Sequence, residues 1–170
     1  MNFEYKHLLP KAFNDNSRVW IYQGSRLFTI SEAMHIEGML SDLVANWKSH
    51  GTPVRAYANL FFGQFIILMV DEAATGVSGC SIDSSVRVIQ EIEKLFNVEM
   101  FNWQNLAFVV NDKVQIIPRQ QFNYALENNF ITTDALFFNN VVGTKKELEE
   151  NWLISVSKSW LKTKIKNAVS

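Results

Sequence analysis

Apolar side chains recur at helical spacing after position 29. Thr29 and Glu32 have the spacing of a capping box, in which each side chain accepts a hydrogen bond from the other residue's backbone N–H. The residues that then share one apolar helix face are Ile36, Leu40, Leu43 and Trp47. A glycine at position 51 and a proline at position 53 stop this pattern. The sequence therefore predicts an amphipathic helix from about Thr29 to Trp47.

The same spacing predicts helices in three later stretches. One covers Ser84–Phe96, and a shorter one covers Arg119–Asn128. In 144–166, Thr144 and Glu147 form a second capping box, and apolar residues follow at every fourth position as far as Trp160. This region is expected to form a C-terminal helical segment, which the weak helix-forming run at 154–157 could divide into two.

Runs of strand-forming residues occur in three pairs, each of which predicts a β-hairpin. The first pair is 18–22 and 26–28, separated by a turn at Gly24. The second is 54–62 and 64–70 around Gly63, with the later strand the more apolar. The third is 106–110 and 114–117, joined by an Asn-Asp-Lys turn.

These elements predict an α+β fold with a single domain over residues 1–170. An N-terminal segment, 1–17, would precede about three hairpin–helix units that begin near residues 18, 54 and 106. Hairpins imply an antiparallel sheet, and amphipathic helices must bury their apolar faces. We therefore expect one antiparallel sheet with helices mainly on one face, followed by the C-terminal helical segment.

Composition narrows the class of protein. Apolar residues make up 48% of the chain, which favours a folded domain. The formal net charge of −1 gives no strong overall field to attract nucleic acid, so no nucleic-acid partner is expected. A single cysteine cannot form an internal disulfide, and no Cys/His cluster has metal-ligand spacing. No apolar run is long enough to span a bilayer. A cytoplasmic protein without cofactor or metal is the expectation.

The most informative stretch is Gln64–Phe96. Its apolar strand ends in two acids, and a loop of small residues with two glycines and the lone cysteine leads into a helix. A strand, a glycine loop and a helix N-terminus often surround a ligand. The candidate ligand-binding residues are Asp71, Glu72, Gly76, Ser78, Gly79, Cys80, Ser81, Asp83 and Ser84.

Cys80 and Arg87 are the candidate catalytic residues. A thiol at a helix N-terminus is ionised more easily, and a nearby arginine would add to that effect. Asp83 would oppose it through its negative charge, and a lone cysteine is often only a small buried residue. The structural interpretation is the plainer one, and the sequence does not choose between them.

Asp71 and Glu72 have two interpretations as well. Paired carboxylates at a strand end can bind a metal or transfer protons. Charges also mark the point where a strand leaves the core. Known phosphate loops do not match the segment, because a Walker lysine and a G-x-G-x-x-G run are absent and six residues instead of five separate Cys80 from Arg87.

Three functions are compatible with these patterns. The leading hypothesis is a small binding domain for an unknown small molecule or protein partner, with its site in the 71–87 loop. The alternative is an enzyme or redox protein that uses Cys80. The third is a structural role through a sheet edge, which would allow a homodimer, or through aromatic residues that either fill the core or form a partner surface: Phe101, Trp103, Phe137 and Phe138.

Three runs are distinctive: RVWIY at 18–22, SWLK at 159–162 and, above all, GVSGCSIDSSVR at 76–87. Through these runs most of the chain, from Arg18 to Lys162, resembles a family of uncharacterised bacterial proteins. Automated labelling sometimes calls members of this family ABC transporter ATPases. The residues conflict with that label, because the Walker lysine loop is missing and residues 77–80 match the LSGGQ signature only faintly. The resemblance implies no activity and no site residues.

Overall fold

The most deeply buried strand, Phe65–Val70, is the central strand of the first of two main sheets. The computed structural model of the chain describes residues 1–75 and 82–166. The strands are β1 Arg18–Gln23, β2 Lys48–Ser49, β3 Thr52–Pro53, β4 Ala56–Phe61, β5 Phe65–Val70, β6 Asn105–Val110, β7 Lys113–Pro118, β8 Leu136–Phe138 and β9 Leu153–Ser155. The helices are α1 Ile30–Asn46, α2 Glu72–Thr75, α3 Ile82–Phe96, α4 Phe122–Glu127 and α5 Lys145–Asn151. Short 3₁₀ helices cover Lys6–Leu8, Arg119–Gln121, Val156–Lys158 and Trp160–Lys164.

The two main sheets face each other. The first has the strand order β1-β5-β4 and the second β7-β6-β8-β9, with antiparallel pairing throughout. Side chains of β5 alternate in direction, as a strand requires. Ile66 and Leu68 pack with α1 and α3, whereas Phe65 and Ile67 pack with Phe138 of β8 and its neighbours between the sheets.

A third core cluster covers the outer face of the second sheet. Leu106 and Phe108 of β6 pack there with Phe122 and Ala125 of α4. The order of layers is therefore helix, sheet, sheet, helix. The α+β class and the antiparallel pairing are confirmed, but the prediction of one sheet with helices mainly on one face is wrong. The reason is that both sheets have two apolar faces, so each needs a cover on either side.

The predicted first helix and the two later hairpins are confirmed. Thr29 and Glu32 form the capping box at the start of α1. The guanidinium of Arg26 donates two hydrogen bonds to Glu32, at 2.9 and 3.0 Å, and these lower the pKa of that carboxyl to about 2. Gly63, with a φ of 64°, lies in the β4–β5 turn, and the β6–β7 turn has Asn111 and Asp112 at positive φ.

The predicted first hairpin does not form. Residues 26–28 are not a strand, and β1 pairs instead with β5, in a register that places Arg18 opposite Val70 and Gln23 opposite Phe65. The N–H of Gly24 donates to the carbonyl of Gln64 at 2.7 Å, which ties the end of β1 to the β4–β5 turn. β1 thus pairs with a six-residue apolar strand, a longer partner than the three residues 26–28 could provide.

The C-terminal segment departs further from the prediction. Thr144 caps α5 as expected, but the helix ends at Asn151, and residues 153–155 form β9 beside β8. Two 3₁₀ helices follow, so 144–166 is not a single helix. Weak helix propensity at 154–157 and the otherwise open edge of β8 explain the change. None of the helices in the described ranges is long and apolar enough to cross a bilayer.

Tyr5 anchors the N-terminal segment to α5. Its hydroxyl donates a hydrogen bond of 2.6 Å to the carbonyl of Leu148, and its ring lies edge-on against Trp152 with 4.9 Å between centroids. Burial, with a smaller contribution from the negative charge of Glu149, raises the pKa of Tyr5 to about 12. The hydroxyl is therefore held in its protonated, hydrogen-bonding form.

We expect Tyr5→Phe to lower the free energy of unfolding near neutral pH by about 1 kcal/mol, through loss of this hydrogen bond. Between about pH 10 and about pH 12, the unfolded wild-type chain releases the Tyr5 proton while the folded chain keeps it, so wild-type stability falls as pH rises. The stability gap between the two proteins should shrink over that range. Urea unfolding at several pH values measures it, and a gap that stays constant would contradict the assignment.

Candidate ligand-binding site

The glycine loop predicted as a site lies mostly outside the described residues. Gly76, Ser78, Gly79, Cys80 and Ser81 fall in the segment 76–81. The other predicted residues of this loop region, Asp83, Ser84 and Arg87, lie in the first turns of α3 with exposed side chains. The hypothesis of a Cys80 nucleophile stays a prediction, and the pH dependence of Cys80 alkylation in the native protein tests it.

Asp71 and Glu72 each bind an arginine. Asp71 is 3% exposed, and its side chain accepts a hydrogen bond from the backbone N–H of Asn14 at 3.3 Å and lies 3.6 Å from the guanidinium of Arg55. Glu72 binds the guanidinium of Arg18 at 3.1 Å. Asp71 is therefore buried and not a solvent-exposed charge at the end of the strand, because its side chain joins the N-terminal segment to the ends of β4 and β5. Within the described ranges no three His, Cys, Asp or Glu side chains are grouped so that they could hold a metal ion.

A cavity of about 460 Å³ opens at one end of the second sheet, where β6 begins and β7 and β8 end. The end of β1 closes one side and the 3₁₀ helix at Trp160–Lys164 contributes to the wall. Each of the three hydrophobic core clusters contributes a residue to its lining: Met100 from the cluster under α1 and α3, Phe138 from the cluster between the sheets, and Phe137 from the cluster under α4. Its size lies within the range of small-molecule sites, which is roughly 300–1,000 Å³.

Most of the lining is apolar or aromatic. Phe137 and Phe138 are almost fully buried, whereas Trp103 is 62% exposed and Val141 is 71% exposed. The ring of Trp160 lies edge-on to Phe137 with 5.9 Å between centroids. The buried rings therefore provide a rigid base, and the exposed side chains lie nearer to solvent.

A chain of hydrogen bonds fixes two amide side chains in the lining. The indole N–H of Trp152 donates to Asn140 Oδ1 at 3.0 Å, and Asn140 Nδ2 donates to Gln23 Oε1 at 2.8 Å. Gln23 Nε2 then donates to the carbonyl of Asn105 at 3.1 Å. An indole N–H can only donate and a backbone carbonyl can only accept, so the direction of every bond in the chain is determined. Each amide nitrogen keeps a second N–H that forms no hydrogen bond within the described residues.

Arg119 supplies the charge. It follows β7, and its backbone N–H donates to the carbonyl of Gln104 at 2.7 Å. Its guanidinium lies over the ring of Trp160, 5.3 Å from the centroid. Among the described lining residues it is the one charged side chain, because the other polar ones are the amides Gln23, Asn102, Asn105 and Asn140.

Few features of the amino-acid sequence indicate this site. The sequence places Trp103, Phe137 and Phe138 either in the core or on a partner surface. In the structure Trp103 is exposed, whereas Phe137 and Phe138 are buried. Arg119 was expected only as the first residue of a helix, and Gln23 and Asn140 carried no signal because they meet through pairing of distant strands. The amides on either side of Trp103 are the one local feature that could have pointed here.

Comparison with protein-family models, with curated proteins and with solved structures returned no match. The resemblance of residues 18–162 to a bacterial family stays a prediction. Function is therefore inferred from the side chains of this chain.

Proposed function

We propose that this chain is a binding domain for a small organic molecule and that the cavity at the end of the second sheet is its ligand site. The observation that carries the proposal is the combination of apolar walls with the amide pair of Gln23 and Asn140, which is fixed before any ligand arrives. Preformed sites lose little conformational entropy on binding, so such an arrangement favours specific recognition.

The chemistry of the lining favours binding over catalysis. No carboxylate, histidine or cysteine is among the described lining residues, so the cavity lacks a general base and a nucleophile there. Arg119 contributes a guanidinium, a group that binds anions and is not suited to proton transfer. The amides and arginine would orient a ligand, and the aromatic rings would bury it.

The variant Val141→Trp tests the proposal. Val141 lines the cavity and is mostly exposed, so a larger side chain should obstruct the cavity without disturbing the core. Ile30→Trp is the matched control, because Ile30 is 84% exposed on α1 and is not a lining residue. We expect fragments that bind the wild type in a ligand-observed NMR screen to bind Val141→Trp at least about tenfold more weakly, a loss of about 1.4 kcal/mol.

The same fragments should bind Ile30→Trp as they bind the wild type, and both variants should keep the wild-type melting temperature. If the fragments bind Val141→Trp with the same affinity as the wild type, they bind elsewhere on the molecule. A screen in which no fragment binds the wild type would contradict the proposal as a whole.

Two further proposals concern the setting of the domain. We propose a cytoplasmic location, and we propose that two copies can pair along an exposed strand. The second is supported by β4 and β7, each of which lies at the edge of its sheet. Sedimentation equilibrium over a range of concentrations tests pairing directly.

A further inference from the structure

The charge of the cavity lining indicates the sign of the ligand's charge. Arg119 brings one positive charge to the described lining, and no acidic side chain there offsets it. Within the described ranges its guanidinium forms no ion pair with a carboxylate. Arg119 is itself exposed, but it lines a mostly apolar cavity and has no carboxylate partner within the described ranges. Such an arginine is suited to bind an anion, and its planar fork fits a carboxylate with two parallel hydrogen bonds.

Because Arg119 is the one charged side chain of the described lining, the cavity favours a ligand with a single negative charge. A phosphate monoester carries about −1.5 to −2 charges at neutral pH, and one guanidinium would leave part of that charge without a partner in the cavity lining. A carboxylate carries one charge and is matched in full. The N–H groups of Gln23 and Asn140 that are not used in the amide chain add neutral donors, which suit the remaining lone pairs of such a group.

The aromatic lining favours a flat ligand. Trp103 and Trp160 line the cavity together with Phe137, and rings prefer offset-stacked or edge-to-face contacts with other rings. The guanidinium of Arg119 lies over the ring of Trp160, so a ligand's ring and its carboxylate could be bound next to each other at the same time. A ligand with only a charge would leave this apolar surface without a partner.

The segment that contributes Trp160 to the cavity is basic, whereas on another part of the lining Asn102 donates a hydrogen bond to the carboxylate of Glu99 at 3.1 Å. The segment 156–166, which contains Trp160, has exposed lysines and no acidic residue; its lysines are Lys158, Lys162, Lys164 and Lys166. Charges of one sign near a cleft raise the local concentration of the oppositely charged ligand, an effect that salt reduces.

We propose that the ligand is an aromatic monocarboxylate of one or two rings, with the ring between Trp103, Trp160 and Phe137 and the carboxylate on Arg119. This inference rests on the proposed function and specifies its ligand class. Arg119 is the specificity-determining residue, and the amide pair of Gln23 and Asn140 positions the polar end of the ligand.

The experiment compares an acid with a neutral molecule of the same shape. 1-Naphthoate and 1-naphthalenemethanol are titrated into the full chain, and binding is followed by calorimetry and by the indole N–H signals of the five tryptophans. We expect 1-naphthoate to bind about tenfold more tightly than the alcohol, with an affinity that falls as salt is added. The indole signals of Trp103 and Trp160 should shift.

Three variants identify the contribution of Arg119. Arg119→Gln should weaken 1-naphthoate binding about tenfold and leave binding of the alcohol unchanged. Arg119→Lys should retain part of the preference for 1-naphthoate over the alcohol, because lysine keeps the charge but not the planar fork. Arg87→Gln is the control, since Arg87 is an exposed arginine on α3 that does not line the cavity, and it should have no effect.

Equal affinity for acid and alcohol, or no effect of Arg119→Gln, would overturn the inference about ligand class. The proposed function would survive that result if Val141→Trp still weakens fragment binding at least about tenfold. Failure of 1-naphthoate, benzoate and indole-3-carboxylate to bind at millimolar concentration would also overturn the inference, while the fragment screen decides the proposed function separately.

Discussion

Replacement of Trp152 by alanine is expected to lower the free energy of unfolding by about 3–5 kcal/mol, the range for a fully buried aromatic residue. Trp152 follows α5 directly and is 0% exposed. Five aromatic rings lie within 6 Å of its own, centroid to centroid: Tyr5, Phe61, Phe62, Phe65 and Phe138. The residue joins the N-terminal segment to both sheets, so its removal leaves a cavity that no single element can fill.

Urea unfolding with a tryptophan-independent probe, such as circular dichroism, measures this loss. Trp152→Phe separates the two roles of the side chain, since it keeps a ring in the core but removes the hydrogen bond to Asn140. We expect a smaller loss of stability for the phenylalanine variant together with weaker ligand binding, because Asn140 and Gln23 would no longer be held in place. Unchanged ligand affinity in Trp152→Phe would show that the amide chain does not position the ligand.

Elements with a local signal could be predicted from the sequence. The capping residues of α1 lie three positions apart, and the turns at Gly63 and at Asn111–Asp112 join strands that are adjacent in the chain. Each of these structures forms from interactions within a few residues, so the local pattern carries the information. The prediction of an α+β fold followed from them.

Elements that depend on distant partners could not be predicted. β1 pairs with β5, more than forty residues later, and a short run at 26–28 offered a nearer but wrong partner. β9 forms because β8 lies beside it, whereas its own residues continue an apparent helical pattern from Trp152. A strand whose stability comes from its neighbour has no periodicity that reveals that neighbour.

The candidate site also depends on residues that are distant in the sequence, so it could not be predicted from local patterns. The loop 71–87 drew attention because its glycines, acids and cysteine are close in sequence. The cavity combines residues from several separate segments, and its Gln23–Asn140 contact joins positions 117 residues apart. Only Trp103 with its flanking amides is visible locally, and that pattern alone does not distinguish a ligand site from a surface loop.

Gly24 shows how a local signal can be assigned to the wrong cause. The sequence suggested that this glycine permits a tight turn. In the structure a Cβ at position 24 would lie 3.1 Å from the carbonyl oxygens of Arg26 and Gln64 and 3.5 Å from the sulfur of Met100. The glycine is needed because β1 approaches the β4–β5 turn closely, next to the cavity residues Gln23 and Met100.

Two glycine-to-alanine variants should therefore change stability in opposite directions. Gly24→Ala is expected to lower the free energy of unfolding by about 1–3 kcal/mol, because the carbonyl of Gln64 is held by the N–H of Gly24 and cannot move away without loss of that hydrogen bond. Gly38→Ala is the matched control, since Gly38 lies on the exposed face of α1 and a Cβ there meets nothing within 4 Å. It should raise stability by about 0.5–1 kcal/mol through helix propensity and reduced freedom of the unfolded chain.

Urea unfolding of both variants under the same conditions compares them directly. Gly24→Ala should also weaken ligand binding, because displacement of Gln64 or Met100 would shift the end of β1, where Gln23 lies. Gly38→Ala should leave the affinity unchanged. Equal stability changes in the two variants would mean that Gly24 has room for a methyl group, and the close approach of β1 to the β4–β5 turn would then not explain why glycine occupies position 24.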